Sequence, residues 1–259
     1  MSKRPYLLVG LGLLCAAPVA ALVAPLVEDA FKASDHDKLG KLIASYVEAR
    51  DKNEGVNKAE EEISKELAKH EKRLKKSPLA YPADLGKALW ASYDYEKNQK
   101  VKRGKIDTIE PTSYFDPKTK LPYAIWLPVK YEAKKAYPVI LCIPDKGETP
   151  QAHLTEKWVD ASIRENAILV GVTMPSDDKT WLELPSRDKQ TGGGHIAWTF
   201  RDVSRNYAID FDRVYVAGRG LGVEAALAFA ARQVDRIAGV IGRSGDATDT
   251  VQVENLRNL

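Results

Sequence analysis

The sequence predicts an α/β fold, in which a mostly parallel sheet is covered by helices on both faces and follows a small helical segment. From about residue 104 onward, short apolar runs typical of buried strands alternate with stretches of helical period. Such alternation indicates βαβ units. Before residue 104 the chain is highly charged, and its apolar residues recur at helical spacing. With 259 residues, 44% of them hydrophobic, the chain is long enough for one sizeable core.

The sequence of residues 1–27 predicts a signal peptide or a membrane anchor. Lys3 and Arg4 precede an apolar stretch at 6–27 that is rich in small residues. A cationic start, an apolar middle and a small-residue exit are typical of a cleaved secretory signal. The alternative is an uncleaved anchor, because about 20 apolar residues span a bilayer. In both cases we expect the folded part to be secreted, periplasmic or in the cell envelope.

Residues 28–103 predict a helical segment. Ser34 or Asp35 is expected to cap the first helix, because short polar side chains accept hydrogen bonds from the first free N–H groups. The second helix is expected to begin at Asn57, with Glu60 completing a capping box. A third is expected to begin near Pro82, since proline is favoured at the first helical position.

Residues 104–259 predict the α/β domain, which we expect to open with a β-hairpin. The apolar runs and the turn and capping residues between them then give the order of the elements. The expected elements are hairpin strands at 109–115 and 121–127, a strand at 139–143, a helix from Thr149 to about Ser162, a strand at 167–173, a long loop at 174–194, a helix over 196–207, a strand at 213–217, a helix at 222–232 and a strand at 237–241.

The segment 209–222 carries a resemblance to a known family. It contains an Asp-Arg-Val-Tyr strand start at 212–215 and then Gly218-Arg219-Gly220-Leu221-Gly222, between an expected strand and an expected helix. This pattern resembles the nucleophile elbow of α/β-hydrolases, in which the central residue of Gly-x-Ser-x-Gly is the nucleophile. It is most similar to the secreted esterase, feruloyl-esterase and polyhydroxyalkanoate-depolymerase-like branch. The resemblance covers about residues 105–259.

The resemblance implies a site in which one essential group is replaced. Gly218 and Gly222 match the flanking glycines, and Leu221 matches the residue whose backbone N–H helps to hold the oxyanion. The loop 144–147 matches the one that gives the second oxyanion donor. Gly220 takes the place of the serine, and because glycine has no atom that can attack a carbonyl, the acyl-enzyme route is closed. Glycine also relieves the backbone strain of that position.

The same resemblance implies an acid after the next strand and a histidine after the one beyond, and neither is recognised in this sequence. The strand at 237–241 would then be a bare sheet edge, which a partner, a second copy or an unusual C-terminal arrangement would cover, unless the sequence is a fragment. An alternative site built from Ser244, His195 and Asp246 is open, because all three are expected where the strands end. Against it, Ser244 and Asp246 also suit a turn, and His195 suits a helix start.

Composition and motifs exclude several other functions. A net charge of +3 gives no reason to expect nucleic acid binding, and the four histidines have no metal-ligand spacing. Gly218-x-Gly220-x-x-Val223 lacks the third glycine of a dinucleotide fingerprint, so we expect no cofactor.

In the long loop, Trp181, Leu182 and Leu184 either line a pocket or pin the loop to the core.

Two functions follow from these observations. The first is a hydrolase-fold protein without catalysis, which binds a small ester or a polysaccharide or polyester ligand. The second is an active carboxylic-ester hydrolase that uses residues not yet identified or a part not included here. We expect contact with a membrane only through the N-terminal segment.

Overall fold

The computed structural model describes residues 30–96, 101–111, 120–186, 189–245 and 253–258. The expected signal peptide or anchor at 1–27 therefore lies outside the described residues. The chain divides into two compact units, one up to Ser92 and one from Tyr93 onward. The sequence analysis placed the end of the helical segment later, at residue 103.

From residue 30 to residue 92, the first unit contains the α-helices α1 (Ala33–Lys52), α2 (Val56–Leu74) and α3 (Pro82–Ala91). Helix α3 begins at Pro82, as predicted. The predicted caps of α1 and α2 were wrong by two or three residues and by two residues, respectively. Lys32 is the residue that precedes α1, and Asp35 accepts a hydrogen bond from its N–H (2.9 Å), so Asp35 acts from inside the first turn. Gly55, in a left-handed conformation, precedes α2.

The core of this unit combines apolar and polar side chains. Phe31, Leu39 and Ala88 are its buried apolar residues. Beside them, the buried His36 Nε2 lies 2.8 Å from an oxygen of the buried Asp84. The other Asp84 oxygen accepts the N–H of Ala30, so this buried carboxylate has partners on both oxygens.

The second unit contains a sheet of six described strands in the order β1-β2-β4-β3-β5-β6. The pairs β3–β4, β3–β5 and β5–β6 are parallel, whereas β1–β2 and β2–β4 are antiparallel. The predicted mostly parallel α/β sheet is therefore confirmed. The strands are β1 (Ile106–Ile109), β2 (Tyr123–Trp126), β3 (Tyr137–Ile143), β4 (Ile168–Val172), β5 (Ile209–Arg219) and β6 (Gly239–Arg243).

Helices cover both faces of this sheet. Ile140 and Cys142 of β3 pack with Leu154 of α4 on one face, and their neighbours Leu141 and Ile143 are also fully buried, on the opposite face. Helices α6 and α7 contact each other; α6 also contacts β4, and α7 also contacts β3. The helices of the unit are α4 (Pro150–Lys157), α5 (Ala161–Asn166), α6 (Gly192–Asn206) and α7 (Leu221–Ala230).

The predicted helix from Thr149 and the predicted hairpin differ most from the structure. The helix expected from Thr149 to Ser162 begins as predicted, with the Thr149 hydroxyl accepting the N–H of Ala152 (3.2 Å). It ends at Lys157, and α5 begins separately because Asp160 caps it through the N–H of Ile163. An antiparallel β1–β2 pair is present, but β1 ends at Ile109, where the first hairpin strand was predicted to begin; residues 112–119 lie outside the described ones.

Candidate active-site corner

A single glycine connects β5 to α7. Gly220, with φ +53° and ψ −125°, stands between Arg219, the last residue of the strand, and Leu221, the first of the helix. Its N–H donates to the Arg243 carbonyl (3.1 Å), and its own carbonyl accepts the N–H of Val223 (3.1 Å). Residues other than glycine rarely adopt such a positive φ, so the corner is strained for any side chain.

The glycines on either side are required by close backbone contacts. A Cβ at Gly218 would lie 2.2 Å from the Gly222 carbonyl oxygen, and one at Gly222 would lie 2.5 Å from the Pro144 oxygen. The end of β3, the end of β5 and the start of α7 therefore meet with no room for a side chain. This is the strand-to-helix corner that the resemblance implies for Gly218, Gly220 and Gly222.

The carboxylate of Asp145 lies directly at this corner. Its Oδ1 accepts the backbone N–H of Leu221 (3.0 Å) and that of Lys146 (2.8 Å). A Cβ built on Gly220 would lie 2.2 Å from the Asp145 Cγ and from both of its oxygens. The N–H of Leu221, an expected oxyanion donor, and the N–H of Lys146, from the loop expected to supply the second donor, thus converge on one oxygen that belongs to the chain itself. The sequence predicted that this loop supplies a donor, but it did not predict that the Asp145 side chain occupies the corner.

A chain of hydrogen bonds that runs from the partly buried Glu148 to the buried His153 holds the Asp145 loop. Glu148 Oε2 accepts the Asp145 N–H (3.2 Å) and lies 2.8 Å from His153 Nδ1. The Trp158 indole N–H donates to His153 Nε2 (3.2 Å), so the proton of a neutral His153 is on Nδ1, where it donates to Glu148. The Arg219 guanidinium lies 3.7 Å from the same Glu148 oxygen.

The surroundings shift the pKa values of both groups. Burial lowers the pKa of His153 and outweighs the attraction of Glu148, which keeps the ring neutral. Burial raises the pKa of Glu148, but the hydrogen bonds from His153 and the Asp145 N–H, together with Arg219, outweigh it and hold the pKa below its ordinary value. Glu148 is therefore an ionised acceptor at neutral pH.

Of the alternative site, the structure describes Ser244 and His195, and these two are not hydrogen-bonded to each other. The His195 Nδ1 donates to the Thr173 carbonyl (2.7 Å), and its buried Nε2 has no hydrogen-bond partner among the described residues. Burial lowers the pKa of His195. Ser244 follows β6 with φ +56°, and no hydrogen bond connects it to His195 within the described part of the chain. Asp246 lies outside the described residues.

The long loop before α6 is fixed through one of its three apolar residues. Trp181 is buried, with 5% of its surface exposed, and its indole N–H donates to the Pro175 carbonyl (2.8 Å). Leu184 is 56% exposed. A cavity of about 800 Å³ lies along α6, and His195, Trp198, Phe200, Phe211 and Phe229 are among its lining residues. Gly220, Leu221 and Asp145 do not line that cavity.

The described residues contain no group of His, Cys, Asp and Glu side chains placed to hold a metal ion. None of the helices described by the structure is long and apolar enough to cross a membrane.

Comparisons with known proteins find similarity in structure alone. No protein-family model matches the sequence, and no curated protein matches it. The structure is similar to S-formylglutathione hydrolase FrmB from Staphylococcus aureus, with 12% identity, 52% of this chain and 54% of that chain covered, and a TM-score of 0.44. It is also similar to the serine hydrolase FphF from Staphylococcus aureus, with 13% identity, coverage of 61% and 62%, and a TM-score of 0.48.

A ferulic acid esterase is a third similar structure, with 16% identity, coverage of 58% and 64%, and a TM-score of 0.44. This chain therefore spans less than two thirds of the length of each of these three structures. The structures to which it is similar are hydrolases and esterases, and the similarity is one of fold.

Proposed function

We propose that this protein is a non-catalytic relative of serine esterases that binds a ligand instead of hydrolysing it. The observation that carries the proposal is Gly220, which occupies the strand-to-helix corner without a side chain, so no nucleophile stands where the family implies one. The proposed ligand is a small ester or a fragment of a polysaccharide or polyester. We also propose that the protein works outside the cytoplasm, as its N-terminal sequence indicates.

The neighbourhood of Gly220 supports the loss of catalysis independently of the missing hydroxyl. A general base must lie within hydrogen-bond reach of the nucleophile. His195 donates through Nδ1 to Thr173, and its Nε2 has no partner within the described residues, so no described contact links His195 to this corner. His153 is connected to the corner only through Glu148, and both of its ring nitrogens are already hydrogen-bonded. The cavity beside α6 has the volume and the aromatic lining that ligand pockets commonly have, which supports binding.

The test is turnover of p-nitrophenyl acetate by the purified chain and by Gly220→Ser. We expect neither to exceed the background rate, because the variant gains a hydroxyl but no base. Gly86→Ser is the matched control, since a Cβ at Gly86 meets no atom within 4 Å. Saturable turnover by the wild-type chain would contradict the proposal, and labelling of Ser244 by a fluorophosphonate would identify the alternative site instead.

A further inference from the structure

The two donors at the corner come from separate segments of the chain. Leu221 opens α7, whereas Lys146 belongs to the loop after β3, and the two are brought together only by the fold. Two N–H groups aimed at one oxygen, one of them at a helix N-terminus, favour a negatively charged oxygen. The oxygen that occupies this place is Oδ1 of Asp145.

The Asp145 carboxylate also fills the volume that a side chain at residue 220 would need. The distance of 2.2 Å from an ideal Cβ to three carboxylate atoms means that both groups cannot be present in this arrangement. Gly220 and Asp145 therefore form a matched pair: the absence of one side chain makes room for the other.

The loop that carries Asp145 is held by Glu148 and His153. Its N–H donates to Glu148, its carbonyl accepts the Glu148 N–H (3.1 Å), and Glu148 is in turn held by the buried His153. Because His153 is buried and Glu148 is bound to both His153 and the Asp145 backbone, this support restrains the loop that carries the carboxylate.

We propose that Asp145 is an internal ligand that keeps this pair of donors closed to external oxyanions. The inference deepens the proposed function, because it rests on the same corner being the former site. Small carboxylate anions have the same chemistry as the Asp145 side chain, so they are the class of ligand that competes with it. Asp145 is thus an autoinhibitory residue, and Glu148 is a positioning residue that acts through it.

The test is a titration with sodium acetate, followed through the amide NMR signals of Leu221 and Lys146. In Asp145→Ala we expect saturable shifts of both signals, with an acetate dissociation constant at least about tenfold lower than in the wild-type chain, because a charge-assisted internal competitor is gone. Asp145→Asn keeps the shape and the accepting Oδ1, so we expect it to fall between the two. Sodium chloride at the same ionic strength controls for screening.

Asp145→Ser serves as the second variant if the alanine variant does not fold, because a serine side chain is too short to fill the same space. Equal acetate responses in the wild-type chain and in a folded variant would overturn the proposal, as would the absence of a response in both folded variants. Ester turnover is a separate readout, so wild-type catalysis would remove the proposed function without altering the outcome of this titration.

Discussion

The competition between Gly220 and Asp145 for one volume can be measured as a coupling free energy. Asp145→Ala removes an acceptor at the start of α7 and is expected to lower the free energy of unfolding by about 1–2 kcal/mol. Gly220→Ala is expected to cost about 1–3 kcal/mol for the positive φ. It also displaces the Asp145 carboxylate, which raises its total cost to about 2–5 kcal/mol.

In the double variant, the backbone strain at residue 220 and the loss of the Asp145 carboxylate each lower the free energy of unfolding once. Its cost should therefore equal that of Gly220→Ala alone, and the sum of the single costs should overestimate it by about 1–2 kcal/mol. Denaturant unfolding can be followed by tryptophan fluorescence in a Trp90→Phe background, because the other tryptophans all belong to the second unit. Gly147→Ala measures the strain alone, since Gly147 has φ +80° and open space around it.

Additivity within about 0.5 kcal/mol would refute this reasoning, because it would mean that the residue-220 Cβ and the Asp145 carboxylate do not exclude each other. A coupling of the opposite sign would refute it as well.

Three further predictions concern the support of the corner and the loop before α6. Glu148→Gln should lower the free energy of unfolding by about 1–3 kcal/mol. Because the pKa of Glu148 is lowered in the folded chain, part of the wild-type stability is lost as the pH falls from the ordinary value of 4.5 through the folded pKa, and the variant should lack this loss. Denaturant unfolding across that pH range measures both effects. Burial lowers the pKa values of His153 and His195, so these histidines take up protons in the unfolded chain first as the pH drops below 6.5. The free energy of unfolding should therefore fall there by up to about 1.4 kcal/mol per pH unit for each histidine. NMR titration of the ring protons should show midpoints below 6.5. Trp181→Ala should cost about 3–5 kcal/mol and Leu184→Ala less than about 0.5 kcal/mol, as measured by thermal unfolding, because Trp181 is buried and Leu184 is 56% exposed; equal costs would contradict the anchoring role of the indole.

The sequence predicts the α/β class and the strand-to-helix corner because both depend on local signals. The apolar run of β5 and the three glycines after it are adjacent in the chain, and no distant contact is needed to recognise them. The extent of β5 was harder to predict: its first residues, from Ile209, include exposed positions that lack the apolar pattern of its buried end.

The contact that defines the corner was beyond sequence reasoning for a physical reason. Asp145 and Leu221 are 76 positions apart, and their hydrogen bond depends on β3 and β5 being parallel neighbours in register. An aspartate in a loop is compatible with a turn or a cap as well as with a distant donor, so the residue type alone does not identify its hydrogen-bond partner. The break between α4 and α5 was missed because Leu154 and Trp158 continue the helical spacing across it, while the cap at Asp160 ends it.

The mutual exclusion at the corner imposes an order on any evolutionary or engineered return of a hydroxyl. A serine placed at position 220 while Asp145 remains would collide with the carboxylate, whereas shortening Asp145 first leaves a fold that lacks one cap and has space to receive the new group. A side chain at position 220 is thus tolerated only after Asp145 has been shortened, and libraries that vary residue 220 alone sample only the unfavourable order.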